Sequence, residues 1–494
     1  MNSENCCSAA DTAAAYKYIE AQLADLKPEE NVRFSCADDI AMGELFANVF
    51  KGCLRYNETA AAWMHYDGAV WREDPAGLAA DALAKLLQRA LYIRCADLPD
   101  GSAFRKRCVK LSELTMRRRM ISDAMSFFPC RQSDFDAQPY LLNVQNGVLD
   151  LRTRTLLDHA PDLMLSKICN AKFEPDADGS TVNTFISQVM CDDAEKAKYL
   201  RAALGYSLLG TSEQEQMFLA VGTSTRNGKS TLFDSVRFML GDYGCTVEPQ
   251  SLATRDRNTT NASGDLARLA GTRFVQCSEP PRKMNLDVAL VKSLTGRDSI
   301  TARHLYQREF EYVPQFALWM NSNNFPQVND PTLFTSGRIK VIEFNRHFGP
   351  HEQDTGLKER LRKPENLSAL LNFCLDGLAD YLSAGHKLIP PQSVVSATEA
   401  YAERSDKFAN FIREALVEFP GAAVTAKRAY VAFENWCREN GFGVDSKAGF
   451  LEAMRTKGLL RARATVNGRT QTNVIVGFTL DVDQFGNDRN PFSA

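Results

Sequence analysis

The 494-residue chain lacks any uninterrupted apolar run approaching 18 residues, and its start, MNSENCCSAADTAAAYKYIEAQL, has neither a basic leader nor a hydrophobic stretch. Neither a signal peptide nor a helical membrane span is expected, and the cytoplasm is the expected location. Net charge is also scarce. The 58 Lys and Arg face 61 Asp and Glu, so a polyanionic partner must be met by local basic patches rather than by a global field. The 13 cysteines, an odd number scattered from Cys6 to Cys437, form no C-x-x-C pair and no secreted-type spacing. Reduced thiols are expected rather than a disulfide framework or a zinc site. What the chain does have is apolar content, 44% of its residues, and length enough for about three domains.

The chain is organised around MFLAVGTSTRNGKSTLFDSVRFMLG, Met217 to Gly241. An apolar run ends at Gly222, a small-polar loop follows, and Gly228-Lys229-Ser230-Thr231 opens an apolar-periodic stretch. Strand, loop and helix in that order can cradle phosphate oxygens on loop amides and a helix N-terminus. Lys229 can then reach the β- and γ-phosphates, and the Ser230 hydroxyl can hold Mg²⁺. Five residues (Thr223, Ser224, Thr225, Arg226, Asn227) separate Gly222 from Gly228, one more than usual. Either the loop is longer by one residue or Thr223 stands at the first-glycine position. A surface helix start is the bland alternative.

Downstream, Gly271–Pro280 reads as an apolar strand ending in Glu279, a candidate to hold Mg²⁺ through water and polarise the attacking water. A helix is expected over Ala289–Leu294. Ile300–Arg303 and Phe310–Tyr312 read as a hairpin, and the segment mixes Lys292, Arg297, Arg303 and Arg308 with Tyr306. That mixture suits a nucleic-acid backbone and its bases, or merely an exposed hairpin. Phe316–Met320 is a buried-type strand ending in Asn321-Ser322-Asn323-Asn324, where a polar tip can orient water. Arg338 precedes a last apolar strand and suits charge stabilisation on a transferring phosphoryl group, in cis or from a neighbour.

Residues 1 to about 130 read as mostly helical, with Asp11 capping a helix through Leu26 and Asp38-Asp39 capping the next. Asp67-Gly68 between aromatic runs predicts a hairpin with its aromatics in a core. The basic residues of Phe104–Phe128 suggest a solvated helix face or a phosphate-contacting one. Asn146-Gly147 marks a second hairpin, and helices are expected over Val182–Met190 and Ala194–Leu209. Near the C-terminus, a helix over Val394–Glu418, two more over Thr425–Asn440 and Ser446–Lys457, and strands over Leu459–Thr465 and Thr472–Leu480 are expected. Ala422–Thr470 holds nine Lys/Arg against four Asp/Glu, so Lys447, Arg455, Arg461, Arg463 and Arg469 are candidates for DNA contact, with a protein-contact role as the alternative.

The order of these blocks resembles the superfamily 3 helicases, and more closely the phage/plasmid primase–helicase family related to the poxvirus primase–helicase NTPase. The stretches that carry the likeness are NVQNGVLDLRTRTLLDHAPDLMLSK, NGKSTL, CSEP, LTGRDSITARHLYQREFEYVPQFALWMNSNNFPQV and GRIKVIEF. It implies an α/β AAA+ P-loop ATPase core with a mostly helical N-terminal region and a C-terminal winged-helix-like domain. The expected divisions are 1–135, a pre-helicase domain 136–210, the ATPase core 211–350, a helical extension 351–390 and the winged-helix-like domain 391–494. By the resemblance, ATP and Mg²⁺ bind at Lys229 and Ser230, Glu279 is the Walker B acid, Asn323 the sensor and Arg338 an arginine finger across a hexamer interface. The Ile300–Tyr312 hairpin would track DNA. Ser278 stands where many members carry a second carboxylate, so turnover could be slow. No acidic pair suited to a primase precedes the shared region. The implied function is an ATP-dependent DNA helicase of a phage, plasmid or other mobile element in a bacterial host, working with a separate primase or host replication proteins and without a membrane. The alternative is an ATP-binding initiator or scaffold that binds DNA and recruits a host helicase; a small-molecule P-loop kinase is disfavoured.

Overall fold

The computed structural model describes residues 12–480 apart from 223, 255–263, 282–283, 304–308 and 467–468. Helices α1 (Thr12–Leu26) and α2 (Asp39–Phe50) open it, and the Asp38 carboxylate caps α2 by accepting from the Ala41 N–H. Asp11 lies outside the described residues. Strands β1 (Leu54–Asn57), β2 (Ala62–Tyr66) and β3 (Trp71–Asp74) follow, with the Asp67-Gly68 hairpin pairing Tyr66 to Trp71. Helices α3 (Leu78–Arg94), α4 (Ala103–Lys110) and α5 (Leu114–Ala124) share one core with this sheet, which β4 (Pro129–Cys130) extends beside β1. Trp63 and Trp71 are buried in that core. The basic run divides: Arg107 pairs with Asp39, Arg117 is buried against Asp81, and Lys106, Lys110, Arg118 and Arg119 stay exposed.

Strands β5 (Leu141–Val144), β6 (Gly147–Asp150) and β7 (Thr155–Leu157) form a second antiparallel sheet that turns at Asn146-Gly147. Helices α6 (Ser180–Val189) and α7 (Ala194–Tyr206) then lead to the central layer. Helix α7 stops short of Leu209, and the Gly210 N–H donates to the Pro139 carbonyl.

The central layer runs β8 (Met217–Val221), α8 (Lys229–Leu240), β9 (Gly244–Val247), α9 (Gly264–Ala267), β10 (Phe274–Ser278) and α10 (Val288–Thr295). It continues through the hairpin β11 (Ile300–Arg303) and β12 (Glu309–Tyr312), then β13 (Ala317–Ser322), α11 (Thr332–Thr335) and β14 (Ile339–Glu343). Five strands form an all-parallel sheet in the order β14-β8-β13-β10-β9. Strands buried on both faces read as apolar runs, which is why FLAV, FVQC and ALWM were legible. Phe218, Phe274 and Trp319 pack on the α8 side, and Leu219, Val275 and Met320 on the other. The parallel register brings Val221, Ser278, Ser322 and Glu343 to one edge, the carboxyl edge where open α/β sheets bind ligands.

Helices α12 (Leu357–Leu361) and α13 (Pro364–Ser383) return to the sheet. Helix α13 crosses α7 with almost no space between backbones: a Cβ on Gly377 would lie 1.9 Å from the Arg201 carbonyl oxygen, and one on Gly205 2.1 Å from the Leu378 nitrogen. Then come α14 (Gln392–Ser405), α15 (Lys407–Ala415), β15 (Leu416–Thr425), α16 (Ala426–Asn440), α17 (Lys447–Thr456), β16 (Leu460–Val466) and β17 (Arg469–Leu480). The last three strands form an antiparallel sheet in the order β15-β17-β16. The single helix expected over Val394–Glu418 is wrong in two places. The chain breaks at Asp406, whose carboxylate caps α15 through the Ala409 N–H, and helix gives way to strand at Leu416. Leu416 and Val424 reach the C-terminal core from an edge strand, and Pro420-Gly421 falls inside its irregularity between Glu418 and Ala423. Among the described residues no helix is long and apolar enough to cross a membrane.

Candidate functional site

Gly222 follows the last pair of the β8–β13 ladder, and its N–H donates to the Ser322 carbonyl at 3.2 Å. Gly222 tolerates no side chain, because a Cβ there would meet Asn227 Nδ2 at 2.3 Å, Lys229 Nζ at 2.7 Å and the Phe344 carbonyl at 2.7 Å. The lysine thus folds back over the strand end. Its Nζ donates to Asn323 Oδ1 at 3.0 Å and to the Gly222 carbonyl at 3.4 Å. Burial pushes the Lys229 ammonium down to about 8, and the nearby Glu279 carboxylate pulls it the other way. A desolvated cation whose partners are one amide oxygen and one carbonyl is a site that an anion would stabilise.

The loop is held in shape from outside. Asn227 Nδ2 donates to the Ser224 carbonyl at 2.5 Å, and Ser224 Oγ donates to the Arg346 carbonyl at 3.3 Å. The His347 ring binds the Thr225 carbonyl, the Phe348 N–H donates to the Arg226 carbonyl, and Arg226 donates to Gln353 Oε1 at 2.6 Å. Residues 344–353 thus clasp the loop, a contact with no local signal in the residue pattern. Arg226 and Glu279 are non-glycine residues at φ +57° and +54°, a conformation kept only where surroundings impose it and one that gathers at functional sites.

Thr231 and Gly228 line a cavity of about 740 Å³ together with Phe185 and Gln188 of α6 and with Phe348 and Leu357. That volume lies in the range of small-molecule sites and adjoins the loop. Ser230 and Glu279 are both exposed at the same sheet edge, on α8 and just past β10. Among the described residues no group of three or more His, Cys, Asp or Glu could hold a metal alone. Mg²⁺ does not need one, since it keeps several waters and takes one or two protein oxygens besides phosphate. Ser230 and Glu279 fit that demand.

Of the residues expected to act together, the structure gathers Gly222, Ser224, Thr225, Arg226, Asn227, Gly228, Lys229, Ser230, Thr231, Glu279 and Asn323 at one edge; Thr223 lies outside the described residues. Arg338 is elsewhere. It precedes β14 at the opposite end from the loop, with its guanidinium on Glu215 at 2.6 Å, on Thr295 Oγ1 at 2.9 Å and on the Lys292 carbonyl at 3.3 Å. It does not reach the loop of its own chain, so the cis alternative is set aside. Among its described residues the hairpin sets acids beside Arg303. Lys292 binds Thr332 and Arg297 the Glu213 carbonyl, away from the strands, and Arg303 stands opposite Glu309 with Glu311 also exposed. Tyr306 and Arg308 lie outside the described residues. In the C-terminal domain Lys447, Arg461 and Arg463 are exposed, and Arg455 pairs with Glu452; the Arg469 side chain and the Asn467-Gly468 turn lie outside the described residues.

Sequence reading also missed Asp234 and Gln276, and took Asn321 only as part of a polar strand tip. A polar residue inside FVQCS, another closing ALWMN, and an acid four residues after Ser230 were the available signals.

Residues 43–191 match the family described as D5 N terminal like, and residues 220–338 match a family of unknown function (DUF5906). A protein of Acanthamoeba polyphaga mimivirus named "Putative helicase L207/L206" is 27% identical over 68% of this chain and 37% of its own length. "Putative helicase 022R" of Frog virus 3 is 29% identical over 52% of this chain and 28% of its own, and "Putative primase C962R" of African swine fever virus 23% over 69% and 36%. The chain spans about a third of the length of these relatives. Among solved structures, the apo C-terminal region of NrS-1 aligns over 89% of this chain and 99% of its own, at TM-score 0.46 and 10% identity.

Proposed function

We propose that this chain, a relative of viral proteins named as helicases and primases, is an ATP-driven, Mg²⁺-dependent DNA helicase of the superfamily 3 type, working as a ring. The observation that carries the reading is Lys229: a desolvated ammonium between Asn323 and the charge of Glu279, at the carboxyl edge of a parallel sheet and at the start of a helix. The order β14-β8-β13-β10-β9 supports an AAA+ arrangement, with the phosphate-loop strand between the last strand and the sensor strand.

In this reading, phosphates replace the Gly222 carbonyl and Asn323 as partners of Lys229, and loop amides and the α8 N-terminus take the remaining oxygens. Magnesium, when bound, neutralises charge on the phosphates. Glu279 polarises the attacking water and Asn323, released by the lysine, orients it. The base extends into the cavity past Thr231.

A second reading, an initiator that binds ATP and DNA without unwinding, draws on one observation: Glu309 and Glu311 share the hairpin's exposed side with Arg303. The experiment is ATP hydrolysis with and without single-stranded DNA, displacement of a forked duplex, and mass in solution with nucleotide. Helicase action requires stimulated hydrolysis, displacement and a ring-sized mass. Hydrolysis without displacement selects the initiator.

A further inference from the structure

The tip of β10 offers one carboxylate, Glu279, preceded by the hydroxyl of Ser278. Around that hydroxyl the sheet is polar where it is otherwise apolar. Gln276 is 2% exposed and Asn321 4% exposed, and they alternate with Phe274 and Trp319 on the side that packs α8. The Gln276 amide donates one proton to Asp234 Oδ1 at 3.2 Å and the other to Ser278 Oγ at 3.0 Å. A flipped amide would set its oxygen against a carboxylate, so this orientation is fixed by charge. Gln276 Oε1 and both polar atoms of Asn321 are then left without a partner. Buried polar atoms are rarely left bare, because each costs about 1–3 kcal/mol unpaired. Gln276 and Asn321 lie on the same face of neighbouring strands, with Asn321 paired to Ser278 in register, and buried atoms of this kind take ordered water. Asp234 stands one helical turn after Ser230, so the two side chains share a face of α8, and its other oxygen holds Lys358.

We infer that Asp234 supplies a second carboxylate beside the tip of β10: through Gln276 it positions the Ser278 hydroxyl, and with Gln276 Oε1 and the Asn321 amide it holds water molecules of the magnesium shell. Asp234 is a positioning residue that touches neither nucleotide nor reacting atoms. The inference rests on the nucleotide reading of the site. Its competitor is plain: Asp234 is there only to pin α12 to α8 through Lys358.

The test is a titration of the full chain with a fluorescent N-methylanthraniloyl ADP, first in EDTA and then against rising Mg²⁺. Asp234→Asn and Gln276→Leu are expected to bind the analogue in EDTA as the parent does. Their half-saturating Mg²⁺ should rise about 10- to 100-fold, the range for removing a group that orients a metal ligand. Ser278→Asp added to Asp234→Asn should restore the parent's Mg²⁺ dependence, which a misfolded variant could not do. Lys358→Met should keep it, because the carboxylate survives. An unchanged Mg²⁺ requirement in Asp234→Asn, or a shift in Lys358→Met as large as in Asp234→Asn, overturns the inference while leaving the nucleotide reading intact. A parent that binds no analogue overturns both.

Discussion

Burial disfavours the charged form of Lys229, and the proposed nucleotide binding should therefore carry a pH signature. Bound polyphosphate favours the ammonium. Below the depressed value of about 8 the lysine is already charged, whereas above it binding must take up a proton. Affinity should therefore be flat on the acid side and fall by up to about tenfold per unit as pH rises past 8. Calorimetry in buffers of differing ionisation heat should count the proton; a flat affinity across that value would remove Lys229 from the phosphates. Stability of the unliganded protein moves the other way. The unfolded lysine keeps its proton up to about 10.5, so this group's destabilisation is full below 8 and is relieved as pH rises between the two values. Lys229→Ala should abolish binding, whereas Glu279→Gln should bind ATP yet lose turnover, because one change removes phosphate contact and the other water polarisation. Normal turnover in Glu279→Gln would sink the Walker B assignment. These residues were legible because each sits at the end of a recognisable run. Asp234, Gln276 and the 344–353 clasp were not, because their meaning lies in contacts across 42 residues in one case and more than 120 in the other.

Among the elements, the parallel strands were the easiest to read and the C-terminal edge strand the hardest. A strand buried on both faces announces itself by continuous apolar residues, while β15 is broken by Pro420-Gly421 and only pairing with β17 shows what it is. The crossing of α7 on α13 was equally hidden, since nothing local says that Gly205 and Gly377 face other backbones. Gly377→Ala should lower stability by at least about 1–3 kcal/mol, the scale for forcing atoms into packed space, read as a lower melting temperature. Wild-type stability in that variant would mean the helices separate freely. The basic elements should differ in function. Arg461→Ala with Arg463→Ala should weaken duplex binding and flatten its salt dependence by about one log–log unit per lost phosphate contact. Arg303, Tyr306 and Arg308 changed to Ala should instead spare basal hydrolysis and remove its stimulation by single-stranded DNA. A hairpin variant that unwinds as well as the parent would favour the initiator reading.

At the scale of the whole molecule, the question is whether one chain contains a complete catalytic site. The described residues at the loop bring together Lys229, Ser230, Glu279 and Asn323, while Arg338 stands at the far end of β14. The parallel register sets Ile339 beside Met217 and Glu343 beside Val221, so Arg338 is about five residues, on the order of 16 Å along the strand, from the level where the loop begins. An arginine so placed can serve catalysis only from a neighbouring chain, and its guanidinium is already held by Glu215 with 17% of its side chain exposed. Arg338→Ala should leave nucleotide binding largely intact and cost roughly 10³-fold or more in turnover, the scale for arginine fingers. Mixing it with Lys229→Ala should restore activity, because one type of mixed interface regains both the lysine and the arginine. If mixed rings form and stay inactive, Arg338 is a latch between β14, α10 and Glu215, and the ring must draw its transition-state charge from another residue.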